Sequence, residues 1–580
     1  MQLARTMNGA IGGDMRRLST LRTVGRIVVP GILFALIIVL VIVPFCMLVY
    51  TSLVDVAPFS SGKTASWTLK NYAALWQPEN ARALVNTLIV SVIGTVLAMG
   101  FGCGMAWLAA RTDVPWKPFI HLCGMMPIFV SQLIAAVAWT LLASGRSAYL
   151  NMILRELGIP FQLEIESLGG IAFLFGLYFA PFPYIFLYSA LTLVNPDMEE
   201  AASVHGGSTR KILSRVTFPL VKPALIGSLL LIFVFMVEDF PIPQILGFPA
   251  GIETLSIRIY TLMSTAPANP NQASAVAMLL TALVCCLVFT QRYILRGRDY
   301  RTVTGKGAQA RMYPLGKFRW AAAAFVVLYA LLAVGLPLFA LIQGAFRPNL
   351  FVRDLSALFD ISQMTTKHFV NILGDRAVYF GLMNSLLAGG TVAILGVAFY
   401  FSLAYVVNRT DLPGRQLLEY AAMLPLAVPA LVMALGILWT WVAVPLPIYG
   451  TLWVIIIAFI ARFMPAGYRV ISASILQVHD DLEHAAMVHG ASRAKTVWRV
   501  TLPLLRGGVA AAMFLMIVFG LRELTASLFL YTANSRVLSI VVFEKLDDGS
   551  WSGAATTSLL YTALLALLAL AGRRYMRASL

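Results

Sequence analysis

Long apolar runs separated by short polar punctuation dominate this chain. Twelve runs stand out, at about 26–52, 84–110, 119–143, 169–194, 224–247, 273–295, 318–345, 384–408, 417–444, 450–473, 507–531 and 554–572. Each reaches the roughly 20 residues that a helix needs to cross a hydrocarbon layer. Pro44, Pro127, Pro181, Pro337, Pro425 and Pro465 fall inside such runs, as membrane helices allow because neighbouring groups satisfy the freed carbonyl. The first run exceeds a signal-peptide core of about 7–15 residues and is expected to stay as a helix. The pattern predicts an all-α polytopic membrane protein of about twelve spans.

The polar punctuation repeats. Around Glu200 the chain reads EEAASVHGGSTRKILSRVTFPLVKPAL, and around Glu483 it reads EHAAMVHGASRAKTVWRVTLPLLRGGV. Ala201-Ala202 thus answer Ala485-Ala486, His205-Gly206 answer His489-Gly490, and Pro219 answers Pro503, all at a spacing of 284. Earlier in each half, Asn86-Thr87-Leu88 answers Asn384-Ser385-Leu386, and Arg111-Thr112-Asp113 answers Arg409-Thr410-Asp411, at a spacing of 298. A repeat on this scale is a duplicated domain rather than a solenoid unit of about 20–50 residues. Two homologous six-helix halves follow, at 26–295 and 318–572, related by a pseudo-two-fold axis. A basic linker at 296–317 joins them, and tails at 1–25 and 573–580 flank them.

Composition agrees: 59% of residues are hydrophobic and 12% charged, against roughly 25% charged in soluble domains. The net charge of +17 raises a nucleic-acid partner, but its distribution answers otherwise. Arg5, Arg16, Arg17, Arg22 and Arg26 crowd the N-terminus, and eight Lys and Arg lie in and beside the linker, from Arg292 to Arg319, the positive-inside bias of a membrane protein. Both termini and both repeated loops are therefore expected in the cytoplasm, with no nucleic-acid partner. Cys46, Cys103, Cys123, Cys285 and Cys286 all lie in predicted spans without metal-ligand spacing, so neither a disulfide framework nor a metal site is expected.

The repeated loop reads as a short docking helix. Asp197 is a candidate N-cap, with Glu199 and Glu200 in the first turn. Alanines give a slim surface, Gly206 suits a left-handed C-cap, and Phe218-Pro219 is expected to break the chain before the fifth span. The pattern Glu-Ala-Ala, three residues, glycine, then a stretch ending in Leu-Pro resembles the EAA loop of type I ABC-importer permeases, here present twice at 195–223 and 479–506. The resemblance includes the Asn-Thr/Ser-Leu openings of spans two and eight and the Arg-Thr-Asp-x-Pro turns after each. It implies that each loop couples to a cytoplasmic ATPase through Glu200, Ala201, Ala202, Gly206 and Pro219 in the first half. In the second half the matching positions are Glu483, His484, Ala485, Ala486, Gly490 and Pro503. The family's glutamate falls on Glu200, while its counterpart is His484, with Glu483 one residue early.

The resemblance also implies two ATPase copies that bind ATP and Mg, one periplasmic or extracellular substrate-binding protein, and placement in a bacterial inner membrane. It implies no cofactor and no catalytic residue on this chain. The stretches 237–260 and 521–549 look most like ferric-iron permeases; polyamine, thiamine and aminophosphonate importers are the alternatives. A gradient-driven carrier of the major-facilitator kind would also have twelve spans, but would carry G-x-x-x-D-R-x-G-R-R where this chain has RTDVPWK. Gly62-Lys63-Thr64 mimics the end of a phosphate-binding loop, but that motif needs a glycine where Ala57 stands.

Arg462, Arg469 and Arg522 fall inside predicted spans, as do acids. The repeat sets Glu238 on Arg522 and Asp239 on Glu523. A charge at mid-membrane costs about 2.5–3.5 kcal/mol on insertion scales, so these groups need partners or water. Two expectations stand: Glu238 and Arg522 pair across the central pathway as part of an external gate, or all four are solvated at helix ends.

Overall fold

A computed structural model describes residues 28–56, 65–295, 312–348 and 355–579. The N-terminal tail, most of the linker (296–311) and the Gly62-Lys63-Thr64 segment lie outside the described residues. Among those described, nine helices are long and apolar enough to cross a membrane, and twelve spans result if each of three bent pairs counts as one. All twelve expected runs are there, but four differ in shape. The third span is broken into Lys117–Phe129 and Gln132–Ala143, bent by 101°, and the ninth into Arg415–Ala427 and Ala430–Ala443, bent by 106°. Pro127 and Pro425 sit in the last, 3₁₀-wound turn before each bend. The fifth and eleventh spans end early, at Glu238 and Arg522, rather than at 247 and 531.

Prolines shape these helices without ending them. The π-turns at Ile38–Ile42, Leu213–Thr217, Leu331–Gly335 and Val497–Thr501 each stop two residues before Pro44, Pro219, Pro337 or Pro503. A proline ring clashes with the carbonyl four residues back, and widening that turn to an i→i+5 pattern makes room for it. Phe218-Pro219 therefore does not break the chain: one helix runs Thr209–Glu238. In the second half the break falls two residues past the proline, at Leu505, where Arg493–Leu504 and Arg506–Arg522 meet at 76°.

The halves interlock. The first span's Val43–Ser52 packs on Ala430–Ala443 of the second half, and Leu336–Phe346 of the seventh span packs on Gln132–Ala143 of the first. Tyr329 donates to the Leu177 carbonyl at 2.8 Å, and Tyr178 donates to Ala333 at 3.0 Å. Ala333 lies in a π-turn, whose opened carbonyl the tyrosine supplies with a donor. At Gly436 the two halves meet backbone to backbone: a Cβ there would lie 2.5 Å from the Pro44 carbonyl oxygen.

The repeated Asn-Thr/Ser-Leu openings have a structural role. Thr87 accepts from the Leu255 amide at 2.9 Å, and Ser385 from the Leu538 amide at 2.7 Å. Each thereby satisfies a free donor at the start of a short helix, Leu255–Ser264 or Leu538–Asp547. Asn86 and Asn384 donate to the preceding carbonyls of Glu253 and Arg536, both at 2.9 Å.

Gly436→Val should lower the thermal midpoint of the purified chain, because the seam cannot absorb the added volume; overpacking of this kind costs about 1–3 kcal/mol. Gly390→Ala, where a Cβ meets nothing within 4 Å, is the matched control and should leave the midpoint level or raise it.

Candidate functional site

Two sets of residues stand out: the repeated loops at one end of the molecule, and the charged groups where the halves meet inside the membrane.

Each loop is held by a buried clamp. In the first half Arg111 and Glu199, both fully buried, pair at 3.1 Å. Arg111 also donates to the Leu191 carbonyl at 3.0 Å, and Thr217 donates to Glu199 at 2.6 Å. Four elements are tied at one point: the end of span two, the end of span four, the loop helix Pro196–Val204, and the start of the fifth-span helix. The second half rebuilds the clamp. Arg409 pairs with Asp480 and lies 3.7 Å from Glu483, while donating to the carbonyls of Val478 and, at 2.8 Å, Ile475. Thr501 and Tyr405 donate to Glu483 at 2.8 and 3.0 Å. Glu199 and Glu483, Thr217 and Thr501, and Leu191 and Ile475 are all 284 apart.

This geometry separates the neighbouring glutamates. The equivalent acids are Glu199 and Glu483, both buried, while Glu200 and His484 are both exposed. The substitution of His484 for a glutamate thus changes a surface position and leaves the clamp whole. The N-cap is Asn195, which accepts from the Asp197 amide at 3.0 Å, and not Asp197 itself. Gly206 and Gly490 do close the two loop helices in the left-handed region, at φ +78° and +83°. Beside them Val204 and Val488 project 86% and 85% exposed, so the two tips match in shape and polarity. Ala201 and Ala485 are exposed, Ala202 and Ala486 half-buried, and Pro219 and Pro503 lie in the helix beyond. The end of the linker is ordered against the first clamp only. Tyr313 donates its amide to Arg111 O at 2.8 Å and stacks on Trp107, and Leu315 donates its amide to Asp113 at 2.7 Å.

Inside the membrane the expected Glu238–Arg522 pair does not form. Glu238 accepts from Arg462 at 2.5 Å, across the boundary between halves. Arg522 turns instead to the carbonyls of Ile128 and Val130, the latter at 3.0 Å. These belong to the bend of the third span, where the helix break has freed them and the guanidinium supplies donors in place of the helix. Arg462 also reaches the Val428 carbonyl, at 3.5 Å, in the bend of the ninth span. Asp239 is buried and Glu523 half-buried, and each caps the turn after it, accepting from Ile242 N at 3.2 Å and Ala526 N at 2.9 Å. Among the described residues no group of three or more His, Cys, Asp or Glu is placed to hold a metal ion.

Arg462 was visible only as an intramembrane charge, because its repeat position holds Tyr178 and the duplication does not flag it. Thr217 and Thr501 were missed, although each lies 18 residues after its glutamate in both halves.

Two interlocked halves of six spans, each presenting one clamped helix at the same end, define a duplicated membrane permease. The family model for the binding-protein-dependent transport system inner membrane component matches residues 94–300 and 396–579, and the chain belongs to that family. It is therefore a fused permease of a binding-protein-dependent ABC importer. The ferric transport system permease protein FbpB of Actinobacillus pleuropneumoniae is 27% identical over 548 residues, covering 93% of this chain and 77% of that protein. The putative ferric transport system permease protein FbpB 1 of Haemophilus influenzae is 26% identical over 511 residues, covering 86% and 78%. The putative 2-aminoethylphosphonate permease PhnV of Salmonella typhimurium is 27% identical over 207 residues, 36% of this chain and 78% of that one. A solved alginate ABC importer chain matches at 17% identity and a TM-score of 0.37, covering 45% of this chain and 96% of that one.

Glu199→Ala should destabilise the chain by about 3–5 kcal/mol, the cost of leaving a buried partner charge uncompensated, whereas Glu200→Ala should move the thermal midpoint within error. Equal effects of the two would refute the clamp assignment.

Proposed function

We propose that this permease carries ferric iron, delivered by one external binding protein and driven by two copies of a cytoplasmic ATPase. The ferric permeases resemble it over most of its length, while the phosphonate permease resembles only about a third; that difference carries the choice of cargo. ATP and Mg bind the ATPase, and this chain binds no cofactor and catalyses no reaction. The chain sits in the inner membrane with both termini and both loops on the cytoplasmic side, the orientation that the crowded arginines favour.

The repeated clamp supports the coupling role. Val204 and Val488 offer each ATPase a small apolar tip on a helix whose base cannot swing independently. Because Arg111–Glu199–Thr217 joins that base to spans two, four and five, a displacement of the loop helix moves those spans as a unit. Arg409–Glu483–Thr501 does the same in the second half. ATP binding draws the two ATPases together, the loop helices follow, and the halves rock from inward- to outward-facing about the site between them.

The test is mass spectrometry of what co-purifies with the tagged chain from its native membrane, followed by ⁵⁵Fe uptake. An ATPase at two copies per chain is the expected result. Val204→Asp with Val488→Asp should weaken its retention by about tenfold or more, since a tenfold loss is only ~1.4 kcal/mol, and leave the thermal midpoint unchanged. Uptake abolished by a proton uncoupler with ATP held constant, and no ATPase retained, would point to a gradient-driven carrier instead.

A further inference from the structure

The charges at the centre are divided unequally between the halves. The second half contributes both arginines, 462 and 522, and the first half contributes the Glu238 carboxylate and the Ile128 and Val130 carbonyls, while Val428 and Glu523 of the second half also face Arg462. Arg522, at the position equivalent to Glu238, is spent on a helix break and does not compete for that carboxylate. Glu238 is 7% exposed: its Oε1 receives Arg462, its Oε2 is buried with no hydrogen bond of good geometry among the described residues, and the Ala430 amide and the Glu523 carboxylate also act on it. A buried carboxylate and guanidinium each depend on the other, and the pair separates at low cost only where something replaces the partner. Arg462, in contrast, has a second acceptor to fall back on, the Val428 carbonyl of its own half.

We propose that Glu238 is the group that cationic cargo meets in transit, and that Arg462 is its resting counter-ion, occupying in the closed state the place that the cation takes when the halves part. The inference rests on the cationic-cargo reading above and adds the residue that enforces it. A carboxylate released from Arg462 offsets part of an incoming cation's charge, which lowers the barrier that a cation without any counter-charge would face there. An anion finds no such exchange, because it would have to displace Glu238 itself. With no chelating cluster among the described residues, the cation is passed on and not stored, as conduction requires weak intermediate sites.

The deciding variant is Glu238→Gln with Arg462→Gln, which removes both charges and leaves neither orphaned. If Glu238 only locks the halves together, this variant transports at least as well as the wild type. On the exchange proposal the assembled complex keeps its binding-protein-stimulated ATPase activity while ⁵⁵Fe uptake falls by about tenfold or more, on the order of the loss of one charge-assisted contact. Uptake at the wild-type level in that variant overturns the proposal. Should the double variant fail to assemble, Glu238→Asp supplies the second measurement: it keeps the charge but shortens the reach, so KM for uptake should rise several-fold with ATPase stimulation intact. An unchanged KM overturns the proposal equally. The wild-type complex is assayed alongside; if it imports another cation but no iron, the ferric assignment fails and the same comparison is scored on that cation.

Discussion

Backbone carbonyls in a bilayer core have no water to turn to, and this constraint organises the protein. At several interruptions a side chain or an altered turn supplies what the interruption removed. Four prolines are preceded by π-turns, one of which takes a donor from Tyr178 in the opposite half. The sharp bends of the third and ninth spans take guanidinium donors from Arg522 and Arg462. The arginines are therefore structural before they are anything else. That is why they survive in a region where a free cation would be costly.

Duplication preserved some of these solutions and abandoned others. At the loop end both halves keep the same arginine, glutamate, threonine and accepting carbonyl, down to the repeat spacing. At the centre the halves have diverged: Glu238 faces its second-half partner from a position where the second half has an arginine, and Arg462 replaces a tyrosine. Two equal loops suit a partner that comes in identical copies. At the centre the two halves need not match, and Glu238 and Arg462 form a pair across them that the repeat does not reproduce.

Much of this was legible in the sequence. Span number, the two halves and the glycine-closed loop helices follow from apolar run length, repeat spacing and the tolerance of glycine for positive φ. The bends were not legible, because a proline announces a disturbance without saying whether the helix widens, as before Pro219, or folds back, as after Pro127. That outcome depends on donors hundreds of residues away. The clamp role of Glu199 was not legible from the motif, which draws attention to the neighbouring Glu200, although the repeat sets Glu199 on another glutamate, Glu483. The Glu238–Arg522 expectation failed for a related reason. Equivalence under the axis makes two positions alike, but it does not make them neighbours, and each side chain found a nearer partner.

The exchange of first spans between halves has a consequence for biosynthesis. Val43–Ser52 leaves the ribosome early, yet the surface it packs against, Ala430–Ala443, is translated about 380 residues later. At 5–20 residues per second that delay is roughly 20–75 s. Throughout it the first helix must wait in lipid beside an incomplete bundle, open to quality-control proteases. The fused chain thus leaves an early contact open until its second half is made, and a ribosome that stalls there leaves behind a membrane fragment with an unfilled seam.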